Sequence, residues 1–125
     1  MTLIYDAGGL IALERDERAS WVRLKTAQSR GEVPLTNAAV LGQVWRGGPR
    51  QARLSSAVLG MNVQPIGEEI GRAAGELLGM SKMSDIVDAS LVLLAQDGDE
   101  IVTSDETDLA PLASASGRHI ELVRP

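Results

Sequence analysis

The sequence predicts an α/β protein in which helices cover both faces of a five-stranded parallel sheet. Short apolar runs of strand character alternate along the chain with longer segments of helical periodicity, and this alternation is typical of parallel sheets. The chain has 125 residues and no shift in composition or long linker, so residues 1–125 are predicted to form one domain. It contains no cysteine, which excludes disulfides, thiolate zinc sites and cysteine nucleophiles.

The first half of the chain contains two predicted strands and three predicted helices. In order, they are a strand at 3–6, helices at 8–14 and 20–30, a strand at 33–36 and a helix at 37–46. The helices are recognised by apolar residues that recur every three or four positions. Ser20 and Asn37 can each accept a hydrogen bond from a free helical N–H group, so both are predicted N-caps.

The second half contains four predicted helices and three predicted strands. They are a helix at 50–59, a strand at 61–65, helices at 68–80 and 85–95, a strand at 100–103, a helix at 107–115 and a strand at 120–123. Pro49 suits the first turn of a helix, and the preceding Gly47-Gly48 ends the helix before it. Together the two halves contain five strands and about seven helices.

One helix carries a stripe of glycines at Gly67, Gly71, Gly75 and Gly79. Each glycine inside a helix costs roughly 0.5–1 kcal/mol relative to alanine, so the stripe calls for a reason. Close packing of another helix of the same chain is one interpretation. A subunit interface is the other.

Several aspartates lie at positions that a parallel sheet would bring close together. Asp6 and Asp105 follow the carboxyl ends of apolar strands, and Asp85 and Asp88 share the start of a helix. Taken singly, each could be a turn residue or a helix cap. Together they predict a cluster of carboxylates that repel one another unless a cation joins them, and oxygen-only ligands favour Mg²⁺ or Mn²⁺.

The charge of the chain restricts how it could bind nucleic acid. Twelve basic and 17 acidic residues give a net charge of −5, which argues against a broad cationic surface. Bound divalent ions would offset part of this charge, so a nucleic-acid substrate is not excluded. Arg46, Arg50 and Arg53 form a local basic run that would contact phosphates or a partner's carboxylate, or lie on a solvated helix face.

Other classes of protein fit the sequence less well. A phosphoacceptor receiver domain needs a lysine after a late strand, and the only lysines are Lys25 and Lys82. The glycine-rich fingerprints of nucleotide-binding loops are absent. No signal peptide and no long apolar stretch are recognisable, so we expect a cytoplasmic protein with no membrane span.

The motifs, in their order and spacing, resemble the PIN-domain ribonucleases, particularly the small toxins of VapBC-type toxin–antitoxin pairs. The run 3–6 followed by 9–13 resembles the opening strand, first metal aspartate and first helix of that family. Asp88 before Ala89 resembles its third acidic position. The segment 103–109 resembles its late Thr-x-Asp-x-x-Asp motif, and the likeness runs over nearly the whole chain.

The resemblance implies a three-layer α/β/α PIN-like fold and a Mg²⁺- or Mn²⁺-dependent endoribonuclease. It further implies a growth-inhibiting toxin that is restrained by a cognate antitoxin, acts on RNA and forms a homodimer. Asp6, Asp88 and Asp105 match the catalytic metal ligands, with Asp85 and Asp108 as secondary candidates.

Gln43 departs from the family pattern, because it occupies the position at which the family helix supplies a glutamate. An amide still offers a carbonyl oxygen but removes one negative charge. The site is therefore expected to be altered or weakened, or to be retained for binding RNA or antitoxin without efficient cleavage. Ser104 and Thr36 are candidates for hydrogen bonds that hold the carboxylates, and Arg46 and Arg50 for substrate binding.

Overall fold

The computed structural model describes all 125 residues and contains five strands and seven α-helices. The strands are β1 (Leu3–Tyr5), β2 (Leu35–Asn37), β3 (Asn62–Gln64), β4 (Glu100–Val102) and β5 (Glu121–Val123). The helices are α1 (Ala7–Glu14), α2 (Arg18–Ser29), α3 (Ala38–Val44), α4 (Ala52–Leu59), α5 (Glu68–Ser81), α6 (Ile86–Val92) and α7 (Glu106–Ala115). A 3₁₀ turn at Pro49–Gln51 leads directly into α4, so Pro49 begins this 3₁₀ turn and lies just before the α-helix that it was predicted to start. The predicted number and order of elements are confirmed.

All five strands are parallel and lie in the order β3-β2-β1-β4-β5. The central strand β1 pairs with β2 through Ile4 and Leu35, and with β4 through Ile4 and Ile101. The chain therefore leaves β1 towards one edge of the sheet and later returns to its other side. The carboxyl ends of β1 and β4 meet at this switch in strand order, which is where open parallel sheets hold ligands.

The core is aliphatic around a single tyrosine, because the chain contains no phenylalanine. Its largest fully buried side chains are Tyr5, Ile4, Leu10, Leu13, Leu24, Leu54, Leu91, Ile101, Leu109, Leu112, Val40 and Val92. Helix α1 packs against α2, α3 and α4, whereas α5, α6 and α7 pack against one another. This grouping fits the predicted arrangement of helices on both faces of the sheet. None of the helices combines the length and the apolar character needed to cross a membrane.

The two predicted N-caps have different outcomes. Asn37 is confirmed, because its side-chain oxygen accepts a hydrogen bond from the N–H of Val40 at 2.9 Å. The prediction for Ser20 is wrong, since α2 begins at Arg18 after an extended Glu17. Ser20 lies inside the helix and is buried, and its hydroxyl has no hydrogen-bond partner.

Helix α3 ends at Val44, two residues before its predicted end, because a buried glutamine diverts the backbone. The side-chain oxygen of Gln51 accepts hydrogen bonds from the N–H groups of Arg46 at 2.8 Å and Gly47 at 2.9 Å. Its amide nitrogen donates to the carbonyl oxygen of Val44 at 2.9 Å and to the Glu14 carboxylate at 2.7 Å. One side chain thus satisfies the backbone groups at the end of the helix.

The glycine stripe of α5 faces open space. A Cβ atom built on Gly67, Gly71, Gly75 or Gly79 would meet no atom within 4 Å. The helix instead buries Ala74 and Leu77 on another face. The interpretation of the stripe as close packing within the chain is therefore wrong, and a subunit interface stays a prediction.

Candidate active site

A cleft of about 320 Å³ opens at the carboxyl ends of β1 and β4. Six of its lining residues are the predicted acidic ligands and the glutamine that replaces a carboxylate: Asp6, Asp85, Asp88, Asp105, Asp108 and Gln43. They come from four parts of the chain, namely the end of β1, helix α3, the start of α6 and the start of α7. The fold thus brings together every acidic residue that the sequence singled out.

Asp6 is the most enclosed carboxylate of the cleft, with 8% of its surface exposed. One of its oxygens accepts a hydrogen bond from the N–H of Gly9 at 2.9 Å, which caps α1. The other accepts a hydrogen bond from the Thr103 hydroxyl. Burial raises the pKa of Asp6, and the nearby charge of Asp105 adds to this, while the hydrogen bonds from Thr103 and the helix N-terminus partly offset it.

Thr103 contacts two of the predicted ligands, and the sequence did not predict these hydrogen bonds. It is fully buried at the end of β4. Its hydroxyl oxygen donates to Asp6 and accepts the N–H of Asp105 at 2.8 Å, so it connects two of the predicted ligands. A threonine two residues before an aspartate commonly accepts the N–H of that aspartate, and this spacing was a signal available in the sequence.

Thr36 and Ser104 do not hold the carboxylates as predicted. Thr36 is buried and donates its hydroxyl hydrogen bond to the carbonyl oxygen of Tyr5 at 2.9 Å, so it fixes the backbone of β1 just before the site. Ser104 is exposed and lines the cleft, where its hydroxyl lies against α1. A Cβ atom on Gly8 would lie only 2.0 Å from Ser104 Oγ, so glycine is needed for this close approach.

Asp85 and Asp88 lie together at the start of α6. Asp85 caps the helix by accepting hydrogen bonds from the N–H groups of Val87 at 2.9 Å and Asp88 at 3.1 Å. Partial burial, followed by the charges of Asp85 and of the other cleft aspartates, raises the pKa of Asp88 to about 6. Asp85 therefore has two effects. It caps α6, and its charge acts on Asp88 within the cleft.

Asp105 and Asp108 form a second acidic pair at the start of α7. A hydrogen bond between their carboxyl groups, followed by the charge of Asp105, raises the pKa of Asp108. Both side chains are exposed.

The donor set of the cleft fits a hard divalent cation in its chemistry. It offers five carboxylates and one amide oxygen, and the charges of neighbouring carboxylates contribute, after burial or hydrogen bonding, to the raised pKa values of Asp6, Asp88 and Asp108. No group of three or more acidic or histidine side chains stands close enough to hold an ion in the present side-chain conformations.

Gln43 lies on α3, where it is exposed and lines the same cleft as the aspartates. The two arginines predicted to bind substrate, Arg46 and Arg50, do not line the cleft. The Arg46 guanidinium donates to the carbonyl oxygens of Trp45 at 2.7 Å and of Gly42 and Gln43 at 3.2 Å, and so caps the end of α3. Arg50 is exposed beyond this helix end.

Comparison with known proteins finds a solved structure with the same architecture. No known protein-family model and no curated protein matches the sequence. A crystal structure of VapBC2 from Rickettsia felis bound to a DNA fragment from their promoter contains a chain that superposes with a TM-score of 0.71. The two chains share one fold. The match covers 98% of this chain and 98% of the VapBC2 chain at 10% sequence identity.

The likeness to VapBC2 confirms the predicted fold, including the five-stranded parallel sheet and the seven helices. The neighbour is a VapBC2 chain, and the sequence motifs resemble proteins of VapBC type. At this sequence identity the likeness establishes the architecture. The sequence identity of 10% does not assign roles to the cleft residues.

Proposed function

We propose that this protein is a divalent-metal-dependent endoribonuclease and the toxin component of a toxin–antitoxin pair. The observation that carries the proposal is the convergence of five aspartates on one cleft at the switch in strand order. The fold shared with a VapBC2 chain supports the same assignment. Carboxylates in such numbers disfavour an anionic substrate unless cations lie between them, which is the arrangement that phosphodiester hydrolysis uses.

Asp6, Asp88 and Asp105 are the proposed ligands of Mg²⁺ or Mn²⁺, with Asp85 and Asp108 as further donors. A cation held by these groups would supply the Lewis acidity that phosphodiester hydrolysis requires. The protein's own contribution is to hold the ligands in place. Thr103 does so directly, because its hydroxyl is bonded to Asp6 and to the N–H of Asp105.

Gln43 is proposed as a neutral contributor to the same site. Its position in the cleft supports this role, because α3 presents it beside the aspartates. With one charge fewer than a glutamate would provide, the site should bind its cation more weakly. A second candidate function follows from this: a protein that binds RNA or its antitoxin without efficient cleavage.

A cognate antitoxin and a homodimer complete the proposal. Support for a protein partner comes from the structural neighbour, which is named as the pair VapBC2. A short reading frame next to this gene would encode the antitoxin, and its product should co-purify with this chain. Light scattering of the purified protein tests the dimer by its mass.

A cleavage assay with a catalytic-site variant tests the proposed reaction. We expect the wild-type protein to cut single-stranded RNA only when Mg²⁺ or Mn²⁺ is added, and Asp6→Asn to lose this activity by about 10²-fold or more, since it loses a charged ligand. Asp16→Asn is the matched control, because Asp16 is exposed and pairs with Arg53 outside the cleft. Equal inactivity of wild type and Asp6→Asn across both metals would exclude the nuclease, and retained RNA binding would then support the binding protein.

A further inference from the structure

A second cavity, of about 410 Å³, adjoins the acidic cleft. The two share Gly8, Ile11 and Ser104 in their linings, so they form one continuous depression. The close contact between Gly8 and the Ser104 hydroxyl lies in this shared lining, between α1 and the end of β4. A ligand that extends beyond the aspartates in this direction enters the second cavity.

Two arginines and one acidic side chain, Glu17, line the second cavity, whereas no arginine or lysine lines the acidic cleft. Arg15 follows the end of α1, and Arg124 follows β5. Neither guanidinium is neutralised by an ion pair, because the two ion pairs of the protein are Arg53–Asp16 and Arg72–Glu68. Neither guanidinium donates a hydrogen bond to another part of the chain, in contrast to the engaged side chain of Arg46.

One hydrogen bond anchors the backbone at Arg124. The guanidinium of Arg23, on α2, donates a hydrogen bond to the carbonyl oxygen of Arg124. This contact ties the segment after β5 to the helical layer that contains α1. Arg15 and Arg124, from opposite ends of the sequence, therefore line one cavity.

We infer that this second cavity binds a phosphate of the RNA strand that flanks the bond cleaved in the acidic cleft. The inference rests on the proposed function, because it takes the acidic cleft as the place of cleavage. Free guanidinium groups pair bidentately with phosphate, and a strand with one phosphate per nucleotide places negative charge in both cavities. An acidic peptide is the weaker candidate, because the proposed cleavage of RNA in the adjoining cleft already requires a phosphate-bearing strand to pass this cavity.

The residues that line the second cavity also predict whether it distinguishes between RNA sequences. It contains no aromatic side chain on which a base could stack. Contacts from arginine to phosphate position a strand and carry no sequence information. The subsite should therefore strengthen binding of any single-stranded RNA to a similar extent and leave the choice of sequence to other parts of the surface.

The salt dependence of RNA binding tests the subsite. Fluorescence anisotropy with a labelled single-stranded RNA of mixed sequence gives the affinity at several KCl concentrations, with Mg²⁺ present and in an Asp6→Asn background that prevents cleavage. Loss of one phosphate contact should lower the slope of log affinity against log salt by about 0.7. We expect this decrease for Arg15→Gln and for Arg124→Gln, and restoration of the slope by lysine at either position.

Arg30→Gln is the matched control. Arg30 is exposed and lines a different cavity, beside the starts of β1 and β4, so its loss changes the charge equally without touching the subsite. The inference is overturned if Arg15→Gln and Arg124→Gln change the slope no more than Arg30→Gln does. It is also overturned if polyglutamate binding depends on Arg15 and Arg124 while RNA binding does not, which would assign the cavity to an acidic protein.

Cleavage by the wild-type protein tests the proposed nuclease independently of the subsite. If wild-type protein cleaves RNA with Mg²⁺ or Mn²⁺ but the arginine variants keep the full salt slope, only the subsite fails. If wild-type protein neither binds nor cleaves RNA, the nuclease and the subsite fail together.

Discussion

The hydroxyl of Thr103 donates a hydrogen bond to the carboxylate of Asp6, across 97 positions of sequence. These residues follow the neighbouring parallel strands β4 and β1, whose register pairs Tyr5 with Val102. The same hydroxyl oxygen accepts the N–H of Asp105. A single buried side chain thus sets the relative position of two proposed metal ligands.

Replacing Thr103 with valine should disturb both ligands while keeping the shape of the side chain. The hydrogen bond from Thr103 lowers the pKa of Asp6, so its loss should raise that pKa further. Removing a hydrogen bond to a charged group should also destabilise the protein by about 1.5–3 kcal/mol. Carbon-13 NMR titration of Asp6 and urea unfolding measure the two effects.

Thr36→Val and Thr103→Ser are the controls for this substitution. Thr36 is equally buried but donates to the Tyr5 carbonyl oxygen, so its loss should cost stability without a comparable change in the pKa of Asp6. Serine at 103 keeps the hydroxyl and should keep the pKa. An unchanged pKa of Asp6 in Thr103→Val would show that the hydroxyl does not tune this carboxylate.

The stability of the metal-free protein should fall as pH rises through the titration of Asp88. Its pKa is about 6 in the folded protein, above the ordinary value of 3.8 expected when the chain is unfolded. Between these values the folded state binds more protons than the unfolded state, so ionisation of Asp88 costs stability as pH rises and the loss levels off above pH 6. The raised pKa of Asp6 acts in the same direction.

Urea unfolding in EDTA near both ends of this pH range measures the effect. Asp88→Asn removes one titrating group, so the variant should gain stability relative to wild type at neutral pH and lose that advantage in acid. The surface variant Asp16→Asn is the control. A difference between Asp88→Asn and wild type that stays constant with pH would contradict the prediction.

Restoring a carboxylate at position 43 should tighten cation binding and weaken the metal-free fold. Gln43→Glu adds a sixth carboxylate to a cleft that already holds five. Calorimetry with Mn²⁺ should show higher affinity, and the melting temperature in EDTA should fall because like charges repel. Gln28→Glu adds the same charge on the exposed surface of α2 and should change neither property to a similar degree. Unchanged Mn²⁺ affinity in Gln43→Glu would place residue 43 outside the site.

Two glycines should respond in opposite ways to replacement by alanine. At Gly9 a Cβ would lie 2.8 Å from the carbonyl oxygen of Val102 and 2.9 Å from the Tyr5 ring, so Gly9→Ala should cost about 1–3 kcal/mol. At Gly71 a Cβ would meet nothing within 4 Å, so Gly71→Ala should stabilise the isolated chain by about 0.4–1 kcal/mol. Chemical denaturation compares them, and a destabilised Gly71→Ala would indicate that something packs on the glycine stripe.

Sequence patterns predicted most of the fold because its elements are locally encoded. Apolar runs marked the five strands, and the caps Asn37 and Asp85 marked helix starts whose hydrogen bonds join residues two or three positions apart. The prediction for Ser20 was wrong because a serine hydroxyl at this position could cap a helix as well as the Asn37 side chain does. Only the packing of α2 places Ser20 inside the helix. The early end of α3 depends on Gln51, whose contact with Glu14 lies 37 positions away and has no local signal.

The sequence by itself determined which chemical groups are available: aspartates after strands and at helix starts, no cysteine, and a glutamine at position 43. Their gathering in one cleft followed from a general rule about parallel sheets, which requires only the order of the elements. Tertiary structure alone decided which hydroxyl holds Asp6, which arginines stay free and which glycines are crowded. Those outcomes depend on register and side-chain direction between distant segments, and no local pattern specifies them.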